Sequence, residues 1–411
     1  MDTWIKRGIW LLPWMTLTYG IRFQIGPIPT TLLEMYALGL IAVWAGWWLS
    51  RGKLVSMVQE SSRRSGRWHV LIHAWMLVTL GAVFVSTGWW SGLGLWRAYV
   101  LEPVLVSMVA FVMLRERSDW KRLWQSTYLV LPFLMLVAVG QFVTGWGIPH
   151  PWNVSIAAGR RATSIFRYPN ALSLYMVPIA AMAMAELVPM LRRRSWKEAV
   201  LPCVAVLSAW IGLGLARSEG GMLALGAASW IVLMSVRAWR PVVLAGTALV
   251  AAVGALFEPL REVIVREATF QGWSGRVRMW MWQDTWRMLK DHWFFGVGFG
   301  GYPDVFATYH SKSFIEIFQY PHNILFNFWS ETGLLGVVSM LGLMGAWFVT
   351  GIKEWWKEGL LVLAPLIAIL VQGLVDVPYF KNDLAILFWL MLVFAMWMSE
   401  SRIIDPKEKG R

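Results

Sequence analysis

The residues most able to do chemistry in this 411-residue chain are arginines and one histidine, all next to strongly apolar runs. Arg217 is the sharpest case. It lies in the short turn Ala216-Arg217-Ser218-Glu219-Gly220-Gly221 between two such runs, so its guanidinium stays close to a bilayer boundary. Two roles fit that position. One is a snorkelling arginine at a helix end, paired with Glu219. The other is a clamp for an anion at the mouth of a cavity, because ionisable groups at membrane depth tend to mark function. Arg160 and Arg161 precede Tyr168-Pro169-Asn170, which opens a further run, and either arginine can join that clamp or be an ordinary loop residue. Arg276 falls in the first turn of a candidate helix with Ser274 as N-cap, where backbone N–H groups also attract an anion. His322, in Pro321-His322-Asn323, stands at the start of another run. The positive end of a helix disfavours imidazolium, so a neutral, proton-accepting His322 is expected there, a hydrogen-bonded structural histidine being the alternative.

These residues have to be positioned by membrane helices. Hydrophobic residues make up 57% of the chain and charged ones only 15%, with 30 tryptophans and a mean hydropathy of +0.53. A soluble domain could not bury that much apolar surface. Apolar runs occur near 8–20, 31–49, 69–86, 98–114, 124–146, 169–190, 198–216, 220–236, 241–257, 323–351, 360–377 and 383–398. At about 20 residues per span they predict an all-α polytopic membrane protein with about 12 transmembrane helices, the first run being the weakest. The chain reads as one integral membrane domain over 1–411, with a large external loop at 258–321. If the amino terminus is cytoplasmic and sides alternate, 23 of the 37 lysines and arginines face inward, among them Lys357, Arg402, Lys407, Lys409 and Arg411. The positive-inside rule then places both termini in the cytoplasm of a cytoplasmic (inner) membrane protein. The net charge of +13 is mostly topology, not a sign of nucleic-acid binding. A single cysteine, Cys203, excludes an intramolecular disulfide and a cysteine-based metal cluster.

The topology leaves Arg22, Arg97, Arg160, Arg161, Arg167, Arg217 and Lys381 outside, beyond the seven basic residues of the long loop. Within that loop, a helical wheel groups Arg276, Gln283, Arg287 and Lys290 within about 60°, with Trp282, Trp286, Leu289 and Trp293 opposite. The expected element is an amphipathic helix at the outer interface, its tryptophans dipped into the membrane. Gly296-Val297-Gly298-Phe299-Gly300-Gly301 lacks the spacing and strand–helix setting of a dinucleotide loop and reads as a turn. Glu331 follows His322 by nine residues, on the opposite helical face, and makes a poor partner for a His–carboxylate dyad. Glu34, Glu102 and Asp376 are acids in apolar surroundings, each placed to pair with an outer arginine. No ligand spacing supports a catalytic metal, and no phosphate-binding loop supports ATP as an energy source.

Together these features resemble the O-antigen ligase and O-antigen polymerase superfamily, which includes protein O-oligosaccharyltransferases. The match lies in His322-Asn323 followed after nine residues by Gly333-Leu334-Leu335-Gly336, and in Arg217 with the glycines after it, although Ala216, Ser218 and Glu219 depart from the family's Ser-Arg-Gly-Gly turn. Arg161 through Asn170 and Gly275-Arg276 with the Gly296–Gly300 run are similar to further family segments. The likeness covers residues 155–400. It implies a glycosyltransferase C-like fold and a metal-independent glycosyltransferase with no cofactor. Such an enzyme moves a glycan from a polyprenyl-diphosphate-linked donor, undecaprenyl diphosphate being the typical carrier, to a glycan, lipid or protein acceptor. It further implies His322, Arg276 and Arg217 as catalytic, with Arg161, Arg160, Asn170 and Asn323 binding substrate. The competing class is a multispan transporter or exporter of a lipid-linked glycan or other anion. A transporter predicts internal repeats and mid-bilayer charges, whereas the candidate charges here sit at one face and no clear repeat is present.

Overall fold

A computed structural model describes residues 1–354 and 358–404, apart from the side chains of 260 and 401–404. Of the inward-facing basic residues expected above, Lys357, Lys407, Lys409, Arg411 and the Arg402 side chain lie outside the described part. The described chain is helical except for one small antiparallel hairpin, β1 (Arg22–Ile25) and β2 (Ile28–Thr31). In hydrocarbon every backbone N–H and C=O has to be satisfied inside its own segment, and helices do this locally.

The order begins α1 (Asp2–Met15), hairpin, α2 (Leu32–Leu49), α3 (Leu54–Ser65), α4 (Arg67–Val83), α5 (Trp89–Trp96), α6 (Glu102–Met113) and α7 (Arg117–Thr144). Next come α8 (Pro169–Arg192), α9 (Trp196–Ala216), α10 (Glu219–Ser235) and α11 (Arg240–Leu256). The segment before the next apolar run carries α12 (Glu258–Ala268), α13 (Trp273–Asp291) and α14 (Tyr302–Phe306). The order ends with α15 (Ile324–Lys353), α16 (Leu360–Gly373) and α17 (Asn382–Ile404). All twelve apolar runs fall on helices. Eight helical stretches among the described residues are long and apolar enough to cross a membrane, and α10 and α16 are shorter apolar helices. The chain is thus a multi-pass, all-α membrane protein. The first run forms the 14-residue α1, with Pro13 inside it, and a 3-10 turn over Thr16–Gly20.

Helix α8 is the centre of the bundle: 89% of its most apolar window is buried within the protein, against 6% for α11. It packs on α9 and α16, and α10 closes on α8 and α16. Small residues permit this approach, as at Gly221, where a Cβ would come within 2.8 Å of the Ser173 side chain. Two polar contacts lock the same end of the bundle. Ser218 Oγ donates to Ser173 Oγ at 2.8 Å, and Gln372 Nε2 donates to that oxygen at 2.9 Å. The starts of α8 and α10 and the end of α16 are therefore held in one register.

Helix α15 breaks at Gly333, whose φ of +68° interrupts the helical path. The break exposes backbone groups that the 294–300 segment satisfies: Val297 N–H donates to Ser330 O at 2.7 Å and Leu334 N–H to Phe294 O at 3.0 Å. Gly296, Gly298 and Gly300 all take positive φ, so the glycine run is a loop, as its spacing predicts. Glu331, on the same stretch of α15, accepts from Gly300 N–H at 2.7 Å.

Helix α13 differs in detail from the expected interfacial helix. It begins one residue before Ser274, with Gly272 as N-cap and no side-chain cap, because the chain reverses tightly at Phe270. Its buried stripe is Val277, Met281, Asp284, Thr285 and Met288, packed on Tyr302 and Phe306. Trp282 turns to the protein, its Nε1 donating to Pro321 O at 2.8 Å, and Leu289 is buried. Only Trp286 and Trp293 of the expected membrane-facing set are exposed. The periodicity is real, but the 294–321 segment folds back and supplies the apolar partner that the sequence leaves open to lipid.

Candidate active site

The helix ends tied through Ser173 carry the candidate residues. Arg217 occupies the left-handed C-cap of α9, with φ +48° and ψ +49°. This conformation suits the last residue of a helix that must reverse at once into the next. The side chain is exposed and its guanidinium makes no hydrogen bond or ion pair among the described residues, with Glu219 or any other acid. Of the two roles open to Arg217, pairing with Glu219 is not the one seen. Gly159, at φ +97°, lies beneath it, and a Cβ there would stand 3.2 Å from Nη1.

Arg161 is half committed to structure. Its Nε donates to Ala216 O at 2.8 Å, and Nη2 donates to Asn170 Oδ1 at 2.9 Å and Arg217 O at 3.3 Å. It thereby caps the carbonyl end of α9 and fixes the Arg217 turn, with Trp152 stacked 4.9 Å away. Burial pulls the Arg161 guanidinium below the usual arginine range; Glu219 opposes this, and Arg217 and Arg278 add to it. Asn170, in the first turn of α8, is the acceptor that orients Arg161.

Arg160 belongs elsewhere. Its Nη1 donates to Phe142 O at 2.8 Å and Val143 O at 3.2 Å, and its Nε to Val154 O at 2.8 Å. Those are orphan carbonyls at the end of α7 and a loop carbonyl. In this structure Arg160 serves as a helix cap. Asn323 is likewise spoken for. Its Oδ1 caps α15 by accepting from Phe326 N–H at 3.1 Å, and its Nδ2 donates to Leu374 O at 3.0 Å.

His322 therefore precedes the N-cap of α15 and does not sit in the helix's first turn. It adopts φ +47°, unusual for a non-glycine residue. Its partner is Asp376, between α16 and α17: Nδ1 lies 3.2 Å from Oδ1. Asp376 pairs with the histidine and not with an arginine, whereas Glu34 does pair as expected, at 2.6 Å from Arg97, which also reaches Glu102 at 3.1 Å. Burial pushes the Asp376 carboxyl up. The hydrogen bond and charge of His322, the Val377 N–H and Arg278 outweigh it and hold the group below the usual carboxylate range. An ionised carboxylate can only accept, so the His322 Nδ1 that faces it is the donor. The His322 ring is 21% exposed, against 7% for Asp376, and stacks edge-on to Tyr320 and Phe318 at 4.9 and 5.2 Å.

The arginine that α13 brings to this group is Arg278. It acts electrostatically on Arg161, Glu219 and Asp376, and its buried Nε has no hydrogen-bond partner. Arg276, two positions earlier and about 200° around the helix, is exposed beside Trp273. Sequence reasoning chose the residue on the polar face. The missed signal is the spacing of Arg278 to Trp282, one turn apart, because Trp282 is bonded to Pro321, next to His322. The assembled group is Arg161, Arg217, Arg278, His322 and Asp376, with Glu219 in reach of Arg161 and Arg278.

Residues 203–341 match the family model described as O-Antigen ligase. The matched stretch holds Arg217, Arg276, Arg278, His322 and the Gly333 break, and stops short of Arg161 and Asp376. No curated protein matches the chain.

Proposed function

We propose that this chain, whose residues 203–341 match the O-Antigen ligase family model, is a membrane glycan-transferring enzyme that moves a glycan from a polyprenyl-diphosphate donor to an acceptor hydroxyl. The observation that carries this reading is the unpaired Arg217 guanidinium set with Arg278 beside the His322–Asp376 pair. The donor diphosphate lies against Arg217 and Arg278, with Arg161 holding the Arg217 turn. Each charge-assisted hydrogen bond contributes about 1.5–3 kcal/mol. Two of them hold the diphosphate and stabilise the charge it gains as the bond from the anomeric carbon to phosphate oxygen breaks. His322 Nε2 takes the proton of the acceptor hydroxyl as the new glycosidic bond forms. The leaving diphosphate needs no proton, so no second acid is required. The basic residues left over by the topology support placing this site on the outer face of the cytoplasmic membrane, with both termini inside.

A reconstitution of the purified chain with a short polyprenyl-diphosphate glycan and candidate acceptors tests the proposal. Release of free polyprenyl diphosphate is expected, lost in Arg217→Ala and His322→Ala variants that still insert into membrane. Passage of intact donor across the vesicle with no diphosphate released would replace transfer by transport.

A further inference from the structure

Next to the Arg217–Arg278 group lies a second set of cations that the transfer step leaves unused. Arg22 on β1 and Arg167 before α8 are exposed, and Lys381 before α17 is half buried. None of the three side chains has an ion pair or hydrogen bond among the described residues. They are nevertheless gathered. Lys381 Nζ stands 5.9 Å over the Tyr19 ring, and Tyr19 stacks on Phe166, the residue before Arg167, at 5.8 Å. Arg22 and Arg167 both act on Lys381 and on Tyr19. Burial pulls the Lys381 ammonium below the usual lysine range, and the two arginines add to this against Asp383 and Asp376.

The set is held by structure made for it. Glu34 joins Arg97 at 2.6 Å, accepts from Thr30 at 2.9 Å and receives the Asn382 amide, tying the hairpin and α2 to the start of α17. Asp383 is 1% exposed, and its carboxylate lies close to the Lys381 charge and to the N–H groups of Asp383 and Leu384.

Asp376 of the His322–Asp376 pair is in electrostatic reach of a member of each cation group. The cations acting on Arg161 are Arg217 and Arg278, and those acting on Lys381 are Arg22 and Arg167. Asp376 is in reach of Arg278 and of Lys381. Tyr320, packed on His322, is in reach of Asp376 and Tyr19 and so bridges to the second group. In a displacement at an anomeric carbon, attacking and leaving oxygens stand on different sides of that carbon. If the donor diphosphate occupies the Arg217 side, the acceptor comes to the base from the other.

We propose that Arg22, Arg167 and Lys381 form a second oxyanion subsite that seats a phosphate or carboxylate of the acceptor. The subsite rests on the transferase reading for its role, but not for its existence. The acceptor is therefore an anionic glycan, and the anion is either a lipid-linked phosphate or a uronate.

Calorimetric titration of the full chain in detergent, with geranyl diphosphate in one arm and glucuronate in the other, tests it. The wild type is expected to bind geranyl diphosphate at the Arg217 side in any case. Arg22→Gln/Arg167→Gln/Lys381→Gln weakens a second class of sites at least tenfold, for geranyl diphosphate if the anion is lipid phosphate and for glucuronate if it is a sugar carboxylate. The double variant Arg22→Gln/Arg167→Gln alters only exposed, unbonded side chains and has to show at least part of that loss, even if the Lys381 change impairs folding. Unchanged binding of both probes by the double and triple variants overturns the subsite. If Arg217→Ala keeps full glycan transfer while the triple variant loses its anion site, the subsite stands and the transferase assignment of Arg217 falls.

Discussion

Replacing Asp376 by Asn removes one negative charge next to His322 and almost no volume. In the wild type the carboxylate accepts from His322 Nδ1 at 3.2 Å and from Val377 N–H at 2.9 Å, both on Oδ1. The amide oxygen of Asn can keep both bonds, so ring orientation survives while the charge that stabilises a protonating imidazole is lost. A hydrogen bond to a charged group contributes about 1.5–3 kcal/mol, and at about 1.4 kcal/mol per tenfold that is roughly a 10- to 150-fold fall in kcat. The donor contacts at Arg217 and Arg278 are untouched, so donor KM should change less than threefold. The assay is steady-state release of polyprenyl diphosphate from vesicles, with Asp376→Asn, His322→Ala and the double variant compared. Because Asp376 acts through the histidine, the double variant should be no slower than His322→Ala alone. The pH dependence of stability gives a second check. A carboxyl whose folded value is depressed stabilises the fold above the unfolded value, near about 3.9, and loses that contribution as pH falls through the folded value. The stability gap between wild type and Asp376→Asn should thus close as pH falls below about 4. An unchanged kcat in Asp376→Asn, or a double variant much slower than His322→Ala, would refute the dyad.

Two contrasts between neighbouring arginines follow. Arg278→Ala should lower kcat/KM for donor by roughly 10- to 150-fold, whereas Arg276→Ala, exposed beside Trp273, should stay within about threefold of wild type in the same assay. Arg160→Ala removes three bonds to the carbonyls of Phe142, Val143 and Val154 and should cost about 1–3 kcal/mol of stability in thermal melts, with kcat per folded molecule retained.

Local chemistry made much of this protein legible in its sequence. Apolar runs on the length scale of a bilayer had to become helices, because hydrocarbon leaves the backbone no other partner. A turn as short as 216–221 fixed Arg217 at a helix end, and the Gly296–Gly300 run fixed a loop, since both depend on neighbours along the chain. Tertiary structure alone decided which helix ends meet. Asp376 reaches His322 across 54 positions and Asn382 reaches Glu34 across 348, distances at which spacing carries no information. The wheel of α13 separated two faces, but the 294–321 segment, folding back on the helix, determined which face is buried, and with it that Arg278 is in reach of Asp376 while Arg276 is exposed beside Trp273. Arg160 and Asn323 look like free polar groups in the sequence. Arg160 became a cap because packing brought it to the carbonyls that end α7, whereas Asn323 caps its own helix locally and packing added its bond to Leu374 O.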